Sequence, residues 1–361
     1  MANGADTRPA HLYVHHPYCL GGRCSYCAFH SAPYSSQAAE RWFASLVCAP
    51  MAPLKTLYCG GGTPTALGKA GWERFARWLR ATVSLARDYE WTVEAHPQGL
   101  SLELLEFLRE TGVNRISLGV QSLEDSVLLR ANRRHSAKDA LKAFRRIREA
   151  GFDNAGVDLI AGLPGSTRAG WESTLKRVLA LRPEHLSIYA LSIEEGSRFA
   201  SDGVIANEES ALEQLAIAYE TLQGYKRYEV SNFARPGFEC RHNLSCWRGG
   251  DYLGIGTGAS SRLGRLRRTI EPEGVREEVL SEAEDAQERA LFRLRLAEGI
   301  DLDECPVMAP ARCVLERAAA RGHLTQSGTR FAPTALGFRY LDALLRDVLA
   351  VLPPAEKESD R

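Results

Sequence analysis

The sequence predicts an α/β protein in which a partial barrel of six parallel strands precedes a C-terminal, mostly helical domain. Through about the first 200 residues, six short runs rich in β-branched and aromatic residues alternate with segments of helical periodicity. Strict alternation of this kind is typical of a parallel sheet with right-handed crossovers. Six units are fewer than the eight of a closed barrel, so we expect an open or partial (β/α)6 barrel.

The strands and helices of the barrel are predicted from periodicity and from turn signals. The six predicted strands are Leu12–His15, Thr56–Cys59, Trp91–Glu94, Arg115–Leu118, Gly156–Ile160 and Leu186–Tyr189. The helices between them place apolar residues three and four apart, and they are Gln37–Leu46, Gly71–Ala81, Leu102–Glu110, Ala137–Ala150 and Trp171–Leu181. Gly112 and Gly151 follow two of these helices and are typical stop signals.

Beyond residue 200 the pattern changes. One more helix is predicted over Glu208–Gly224, followed by two β-like stretches at Tyr228–Phe233 and Tyr252–Ile255. From Glu282 to Leu349 the chain reads as amphipathic helices with a hairpin near Thr325–Phe331, an order that resembles a winged helix. We therefore expect a core over residues 1–200, a barrel extension over 201–270, a helical domain over 271–352 and a disordered tail over 353–361.

Composition excludes several classes of protein. Lys+Arg and Asp+Glu number 45 each, and this balance argues against a nucleic-acid-binding protein with a global basic field. No apolar stretch is long enough for a transmembrane segment, and the N-terminus lacks the pattern of a signal peptide. Nine cysteines are present, and the crowding of three of them indicates metal binding or catalysis in a reducing compartment, so we expect a cytoplasmic protein.

The loops after the predicted strands carry the chemically informative residues. The loop after the first strand contains Cys19, Cys24 and Cys27. Three thiolates can hold iron or zinc. An iron–sulfur cluster with three protein ligands leaves one iron open to chelate an amine and a carboxylate. The alternative is a structural zinc site with His15, His16 or His30 as the fourth ligand.

The ends of the later strands carry further polar residues and glycines, which a parallel sheet places at the same edge as the cysteines. A triple glycine at 60–62 follows the second strand, where the lack of Cβ atoms lets the backbone approach a ligand closely. Glu94, at the end of the third strand, can accept a hydrogen bond from a ligand ammonium group. Gln121 and Asp158, after the fourth strand and within the fifth, are candidate partners of ribose hydroxyls.

These residues lie in long strings that resemble one known family. The strings are LYVHHPYC, CSYCAF, GGGTPT, VEAHP, GVNRISLGVQS, DLIAGLPG, PEHLSIYALSIEEGSRF, GYKRYEVSNFARPGFECRHN and GGDYLGIGTGA. They resemble radical S-adenosylmethionine (SAM) proteins of the oxygen-independent coproporphyrinogen III oxidase-like group, and within it the haem chaperone branch. The resemblance implies a partial, TIM-like barrel of the radical SAM type.

The resemblance also implies roles at matching positions. Cys19, Cys24 and Cys27 would ligate a [4Fe-4S] cluster. His242 would take part in binding haem. The positions that would contact SAM are Tyr13, Tyr26, Gly61, Gly62, Thr63, Glu94, Gln121, Arg133 and Asp158.

Two local features favour a haem chaperone over an oxidase. The oxidases carry a fourth Cys two residues beyond the third and a longer N-terminal segment, whereas here Ala28-Phe29 follows Cys27 and eighteen residues precede Cys19. We therefore expect reductive cleavage of SAM and no coproporphyrinogen oxidase activity. The alternatives are an oxygen-independent coproporphyrinogen III oxidase, a radical SAM methyltransferase and a scaffold without a cluster.

The expected partners follow from the same resemblance. They are haem, respiratory haem-acceptor proteins and an electron donor for the cluster, with a cytoplasmic location that includes the periphery of the inner membrane. The chain departs from the family at four places. The stretch from Cys27 to Gly60 is shorter than in relatives. Four residues separate Cys19 from Cys24 where the family has three, Cys246 replaces a Tyr before Trp247, and Ser260 replaces a His.

Overall fold

The computed structural model describes residues 8–20 and 22–354, and its strands and helices follow the predicted alternation. The strands are β1 (His11–His16), β2 (Tyr18–Cys19), β3 (Ala32–Pro33), β4 (Leu54–Gly61), β5 (Leu85–Ala95), β6 (Arg115–Gln121), β7 (Ala155–Ala161), β8 (His185–Ala190), β9 (Lys226–Arg227), β10 (Asn232–Ala234), β11 (Leu253–Ile255), β12 (Ser260–Leu263), β13 (Leu266–Glu271), β14 (Gly274–Val279), β15 (Ile300–Asp301), β16 (Leu324–Ser327) and β17 (Arg330–Pro333).

The helices lie mainly in the connections between these strands. They are α1 (Ser36–Ser45), α2 (Gly68–Thr82), α3 (Leu102–Thr111), α4 (Asp125–Arg130), α5 (Ala137–Glu149), α6 (Arg168–Leu179), α7 (Arg198–Ser201), α8 (Glu208–Thr221), α9 (Arg241–Trp247), α10 (Glu282–Arg293), α11 (Arg312–Ala320) and α12 (Leu341–Leu349). Short 3-10 helices cover Pro64–Leu67, Pro306–Ala311 and Gly337–Arg339. In the described chain, no helix has the length and apolar character needed to cross a bilayer.

The six predicted strands are neighbours in one sheet. In the order β1-β4-β5-β6-β7-β8 they pair in parallel, which confirms the predicted partial barrel. Strand β11 extends the sheet in parallel beyond β1, while β10 and then β9 extend it in antiparallel fashion beyond β8. All six carboxyl ends therefore lie at one edge, where the connecting loops can form a single site.

Local sequence signals explain the helices of the barrel. Ser101, Ser136 and Thr167 cap α3, α5 and α6 by accepting backbone N–H groups. Gly112 ends α3 in the left-handed conformation that a stop signal requires. The apolar faces of these helices cover the sheet in a core that includes the fully buried Trp72, Trp91, Trp171, Phe75 and Phe144.

After residue 200 the prediction was wrong in one place, and one β-meander was not predicted. The β-like stretch Tyr228–Phe233 is interrupted between β9 and β10, because the Glu229 carboxylate accepts the Ser231 N–H at 3.0 Å and holds a turn. The arginine-rich stretch Arg262–Arg268 was not predicted as β-structure. It contributes to the antiparallel meander β12-β13-β14, where Arg262 and Arg267 pair with carboxylates of α10.

The C-terminal segment has its own hydrophobic cluster. Leu294, Met308, Leu315, Phe331 and Val348 are among its buried members. The predicted hairpin is present as β16-β17, between helices α11 and α12. The predicted domain boundaries remain predictions, and most of the predicted tail, residues 355–361, lies outside the described residues.

Helix α9 closes the barrel at the amino ends of the strands. Its first N–H groups, those of Arg241 and His242, donate to the buried carboxylate of Glu90 at 3.0 and 3.2 Å. The side chain of Arg115 is fully buried within the electrostatic influence of the same carboxylate. Buried polar groups are stable only when they are paired, so Glu90 links the helix to the polar interior of the barrel.

Replacing Glu90 tests this link. In Glu90→Ala, two backbone N–H groups lose a charged acceptor and Arg115 loses a nearby carboxylate, so we expect the free energy of unfolding to fall by about 3 kcal/mol. Urea denaturation followed by circular dichroism measures the change. Glu103→Ala is the matched control, because Glu103 is 71% exposed and solvent screens its ion pair with Lys69, so its removal should change the free energy of unfolding little. Equal losses in the two variants would contradict the role of Glu90.

Candidate functional site

A cavity of about 410 Å³ opens at the carboxyl ends of the strands. The structure brings most of the predicted site residues to its wall: Cys19, Cys24, Tyr26, Cys27, Gly61, Gly62, Thr63, Glu94, Gln121, Arg133 and Asp158. Tyr13 and His242 do not line this cavity. The loops that the sequence marked as informative therefore form one site.

The loop that carries Cys19, Cys24 and Cys27, which we call the cysteine loop, is held by hydrogen bonds to neighbouring segments. The Ser25 N–H donates to the Ala131 carbonyl at 3.0 Å, and the Ser25 carbonyl accepts the Phe199 N–H at 2.8 Å. The Asn132 side-chain amide donates to the Arg23 carbonyl at 2.8 Å. These contacts tie the loop to the connection between α4 and α5 and to α7, so its cysteines keep a defined position.

Two of the three thiols lie in an environment that favours their neutral form. Burial raises the pKa of Cys19 and of Cys27. Arg133 Nη1 lies 3.4 Å from Cys24 Sγ and supplies a positive charge beside that sulfur. Among residues 8–20 and 22–354, no three His, Cys, Asp or Glu side chains converge as the ligands of a single metal ion would.

The His15 imidazole connects the loops around the cavity. Its Nε2–H donates to the His30 carbonyl at 3.1 Å, so Nδ1 accepts the Tyr13 hydroxyl, which lies 3.0 Å away. The ring lies between two glycines: a Cβ atom on Gly61 would approach it to 2.6 Å, and one on Gly258 to 2.8 Å. Both glycines also have positive φ angles, of 101° and 99°. Glycine is thus required at both positions.

The segment Gly60–Thr63, which we call the glycine loop, approaches the cysteine loop as closely as the backbone allows. The Gly62 N–H donates to the His16 carbonyl and the Thr63 N–H to the Tyr18 carbonyl, both at 2.7 Å. A Cβ atom on Gly62 would lie 2.5 Å from the Tyr18 oxygen. The Gly62 position therefore excludes any side chain and fixes the two loops against each other.

Glu94 is the carboxylate nearest to the glycine loop. Its two oxygens accept the Tyr58 hydroxyl at 2.8 Å and the Gly61 N–H at 3.1 Å. Burial raises the pKa of Glu94 to about 7, and these hydrogen bonds oppose the shift. A group that binds beside Glu94 with a positive charge would favour its ionised form.

Asp158, Gln121 and Arg133 line the cavity beyond Glu94. Asp158 accepts the Ser117 hydroxyl at 3.0 Å, and burial raises the pKa of its carboxyl group. Gln121 adopts a left-handed φ of 69°. Within the described residues, Gln121 Oε1 and Arg133 Nε are buried without a hydrogen-bond partner. Such groups are expected to be satisfied by a ligand or by water.

The structure places Tyr13 and His242 beneath the cavity. Tyr13 contributes through His15, whose ring it orients. His242 is 5% exposed, and its Nδ1 lies 2.8 Å from the Thr56 hydroxyl. Its ring centroid is 5.2 Å from that of Tyr58, whose hydroxyl reaches Glu94. Burial lowers the pKa of His242 to about 3, so this imidazole is neutral.

Three residues that follow His242 in the sequence, Cys246, Trp247 and Ser260, lie in environments that suit a structural role. Trp247 packs edge-to-face on Phe292, with ring centroids 5.8 Å apart, and the Arg295 guanidinium lies over its ring. Burial raises the pKa of the Cys246 thiol to about 12, which opposes a thiolate there. The Ser260 hydroxyl contacts that of Thr269 on β13.

Sequence reasoning missed several side chains that line the cavity, among them His96, Ser117, Tyr189 and Glu194. Ser117 shares a face of β6 with Gly119, so the two-residue period of a strand could have identified it. Tyr189 lies near the carboxyl end of the sixth predicted strand, and Glu194 follows that strand. No site residue was predicted at this strand end. His96 has no signal beyond its position two residues after Glu94.

Comparison with known proteins gives a consistent set of relatives. The family described as the radical SAM superfamily matches residues 13–178. The chain is 31% identical to the haem chaperone HemW of Escherichia coli (strain K12), over 95% of this chain and 98% of that protein. It is 35% identical to the HemW of Bacillus subtilis (strain 168), over 71% of each chain. The solved structure of coproporphyrinogen III oxidase (HemN) from Escherichia coli, a radical SAM enzyme, superposes with a TM-score of 0.80 at 25% identity and covers 94% of this chain and 90% of that one.

A Gly258→Ala variant tests the packing of His15. The new methyl group would contact the imidazole and displace it from the His30 carbonyl, in addition to straining a positive φ. The matched control is Gly264→Ala, where φ is also positive, at 60°, but nothing lies within 4 Å of the added Cβ. We expect Gly258→Ala to lose about 2 kcal/mol more free energy of unfolding than Gly264→Ala. Equal losses, measured by urea denaturation, would refute the tight packing of His15.

Proposed function

The chain belongs to the HemW family of haem chaperones within the radical SAM superfamily, and on this basis we propose that it binds a [4Fe-4S] cluster, SAM and haem and delivers haem to respiratory proteins. The observation that carries the proposal is the convergence of three thiols, the Glu94 carboxylate and the buried, unpartnered groups of Gln121 and Arg133 on one cavity. A cytoplasmic location that includes the periphery of the inner membrane stays a prediction.

Cys19, Cys24 and Cys27 are the proposed cluster ligands. Each thiolate of such a cluster binds a different iron, so the three sulfurs need not converge on one point. The positive charge of the irons would favour the thiolate form that burial disfavours at Cys19 and Cys27. When bound, the cluster would supply the electron for reductive cleavage of SAM, and a separate electron donor is its proposed source.

SAM is the proposed ligand of the remaining cavity. Glu94 would accept hydrogen bonds from its ammonium group, a charge-assisted contact. The unpartnered Gln121 Oε1 and the carboxylate of Asp158 are acceptors that suit ribose hydroxyls. The backbone of Gly61, Gly62 and Thr63 leaves room for close approach, and Tyr26 and Arg133 complete the wall.

Haem is the proposed cargo, and His242 is its proposed axial ligand. A neutral imidazole suits this role, and burial keeps His242 neutral. Its ring is 5% exposed and contacts Thr56, so coordination of haem iron would require α9 to move away from the floor of the barrel. Haem binding would then compete with the contact between His242 and Thr56.

Coproporphyrinogen oxidation is the second candidate function. The fold match to the oxidase from Escherichia coli over 94% of this chain favours it. Against it stands the absence of a fourth cysteine two residues after Cys27, where the chain has Phe29. An anaerobic assay with SAM, a reductant and coproporphyrinogen III separates the two functions, because formation of protoporphyrinogen over several turnovers would establish the oxidase.

Anaerobic reconstitution with iron and sulfide tests the cluster. We expect wild-type protein to retain about four irons and four sulfides per chain. Replacement of Cys19, Cys24 or Cys27 by Ala should abolish or strongly reduce this content, since each thiolate holds one iron. Cys313→Ala is the matched control, because Cys313 is exposed and lies far along the chain in α11, and it should load as wild type does. Full loading of the triple Ala variant would refute the proposed ligands.

A haem titration followed by absorption spectroscopy tests His242. We expect His242→Ala to lose the absorption of ligated haem. Thr56→Val keeps the side-chain shape but removes the hydroxyl that contacts the imidazole, and it should raise haem affinity about fivefold, because one hydrogen bond no longer opposes release of the ring. Unchanged haem spectra and affinity in His242→Ala would show that another residue holds the iron.

A further inference from the structure

We propose that His96 determines specificity in the cavity by donating a hydrogen bond to the carboxylate of an amino-acid ligand whose ammonium group is bound by Glu94. This inference rests on the proposed function, since SAM carries such an amino-acid end. To the proposed function, the inference adds a recognition residue that neither the motifs nor the relatives assign. Arginine is the usual partner of a ligand carboxylate, but the terminal nitrogens of Arg133 contact other protein groups.

The donors of Arg133 are largely committed to the protein. Its Nη1 lies 3.4 Å from both Cys24 Sγ and the Tyr26 hydroxyl. Its Nη2 donates to the Gly119 carbonyl. The guanidinium thus uses both terminal nitrogens to hold the cysteine loop and strand β6. The Nε–H of Arg133 has no partner within the described residues, and a second donor beside it would complete the recognition of a carboxylate that accepts two hydrogen bonds near Glu94.

His96 lines the cavity directly after the end of β5, two residues beyond Glu94. Its Nδ1 accepts the backbone N–H of Gln98 at 3.0 Å. In the neutral ring the proton then resides on Nε2, which makes that nitrogen a hydrogen-bond donor. The backbone thereby fixes the tautomer of His96.

The His96 ring is also fixed in orientation. It packs edge-to-face against His135, with ring centroids 5.0 Å apart and an interplanar angle of 81°. His135 is itself held, because its Nε2 donates to the Val120 carbonyl at 3.2 Å. Burial, with the nearby charge of Arg133, lowers the pKa of His96 to about 2, so the ring stays neutral. His96 is a preorganised, uncharged donor, which costs little entropy to use.

The chemistry of the neighbouring residues identifies the ligand group. An α-amino acid carries its ammonium and carboxylate on one carbon, so its site needs an acceptor and a donor side by side. Glu94 and His96 supply this pair on one chain segment. A haem propionate is the other carboxylate available to this protein, but it has no ammonium group for Glu94 to bind. Because Glu94 and His96 line the same cavity, the bound carboxylate is better explained by the amino-acid end of SAM than by a haem propionate.

The test compares two ligands that differ in this end. S-Adenosylhomocysteine retains the amino acid and cannot be cleaved as SAM is, whereas 5′-methylthioadenosine lacks the amino acid. Calorimetric titrations use the full chain after anaerobic reconstitution with iron and sulfide. The variants are His96→Ala, His96→Gln, whose amide can reach the position of Nε2, and the control His323→Ala in the C-terminal segment. Equal iron content and equal thermal midpoints establish that the variants are folded and loaded.

We expect His96→Ala to bind S-adenosylhomocysteine about tenfold more weakly than wild type, since a hydrogen bond to a charged group is lost. Its affinity for 5′-methylthioadenosine should not change. His96→Gln should recover most of the loss, and His323→Ala should match wild type. A haem titration of His96→Ala should give the wild-type affinity, and a selective loss of haem would assign the donor to a propionate and overturn the inference.

The remaining outcomes distinguish this inference from the function on which it rests. If wild type binds S-adenosylhomocysteine and His96→Ala binds it equally well, His96 has no such role and the proposed function stands. If the variant loses affinity for both nucleosides to the same extent, the effect is a general distortion of the cavity, which also overturns the inference. If wild type binds neither nucleoside, the proposed SAM site itself fails.

Discussion

The packing of a single imidazole holds the site together. The His15 ring lies between Gly61 and Gly258, donates to the His30 carbonyl and accepts the Tyr13 hydroxyl. It thus joins the end of β1, the glycine loop, the cysteine loop and the turn after β11, which are far apart in the sequence. Burial lowers its pKa, so the neutral tautomer that makes these contacts persists at physiological pH. Neither glycine can change without moving the ring, and the ring cannot move without loosening the cysteine loop.

An open barrel with a polar interior also requires a floor, and the segment after residue 201 provides it. Helix α9 places its N-terminal N–H groups on Glu90, and the His242 ring beside Thr56 and Tyr58. Tyr58 in turn donates to Glu94 at the cavity. A residue proposed to bind haem is therefore two contacts away from a residue proposed to bind SAM. Any movement of α9 that frees His242 alters the packing of Tyr58, and this contact is a physical route by which the two ligands could influence each other.

Features of the fold that depend on local sequence signals could be predicted from the sequence. The six barrel strands are apolar runs bounded by glycine or polar residues, and the cap and stop signals of α3 and α5 lie within a few residues of the helix ends. Features that depend on distant partners could not be predicted. The strands β12 to β14 carry arginines whose partners are carboxylates of α10, which lies later in the chain. The sequence offered His15 only as a candidate zinc ligand, and its packing role was not predicted because its partner Gly258 is more than 200 positions away. The burial of His242 likewise depends on strands formed far earlier in the chain.

The electrostatics of the cavity explain why its proposed ligands should be cationic. Burial raises the pKa of Cys19, Cys27, Glu94 and Asp158, so it shifts each group toward its protonated form. Iron and an ammonium group would reverse these shifts, since a nearby positive charge stabilises thiolates and carboxylates. Loading the cavity would therefore release protons, and the free energy of binding would become more favourable as the pH rises through the range in which these groups ionise. The fold provides this coupling by burying acidic groups at the edge of the sheet, where Arg133, whose terminal nitrogens contact Cys24, Tyr26 and Gly119, is one nearby fixed positive charge.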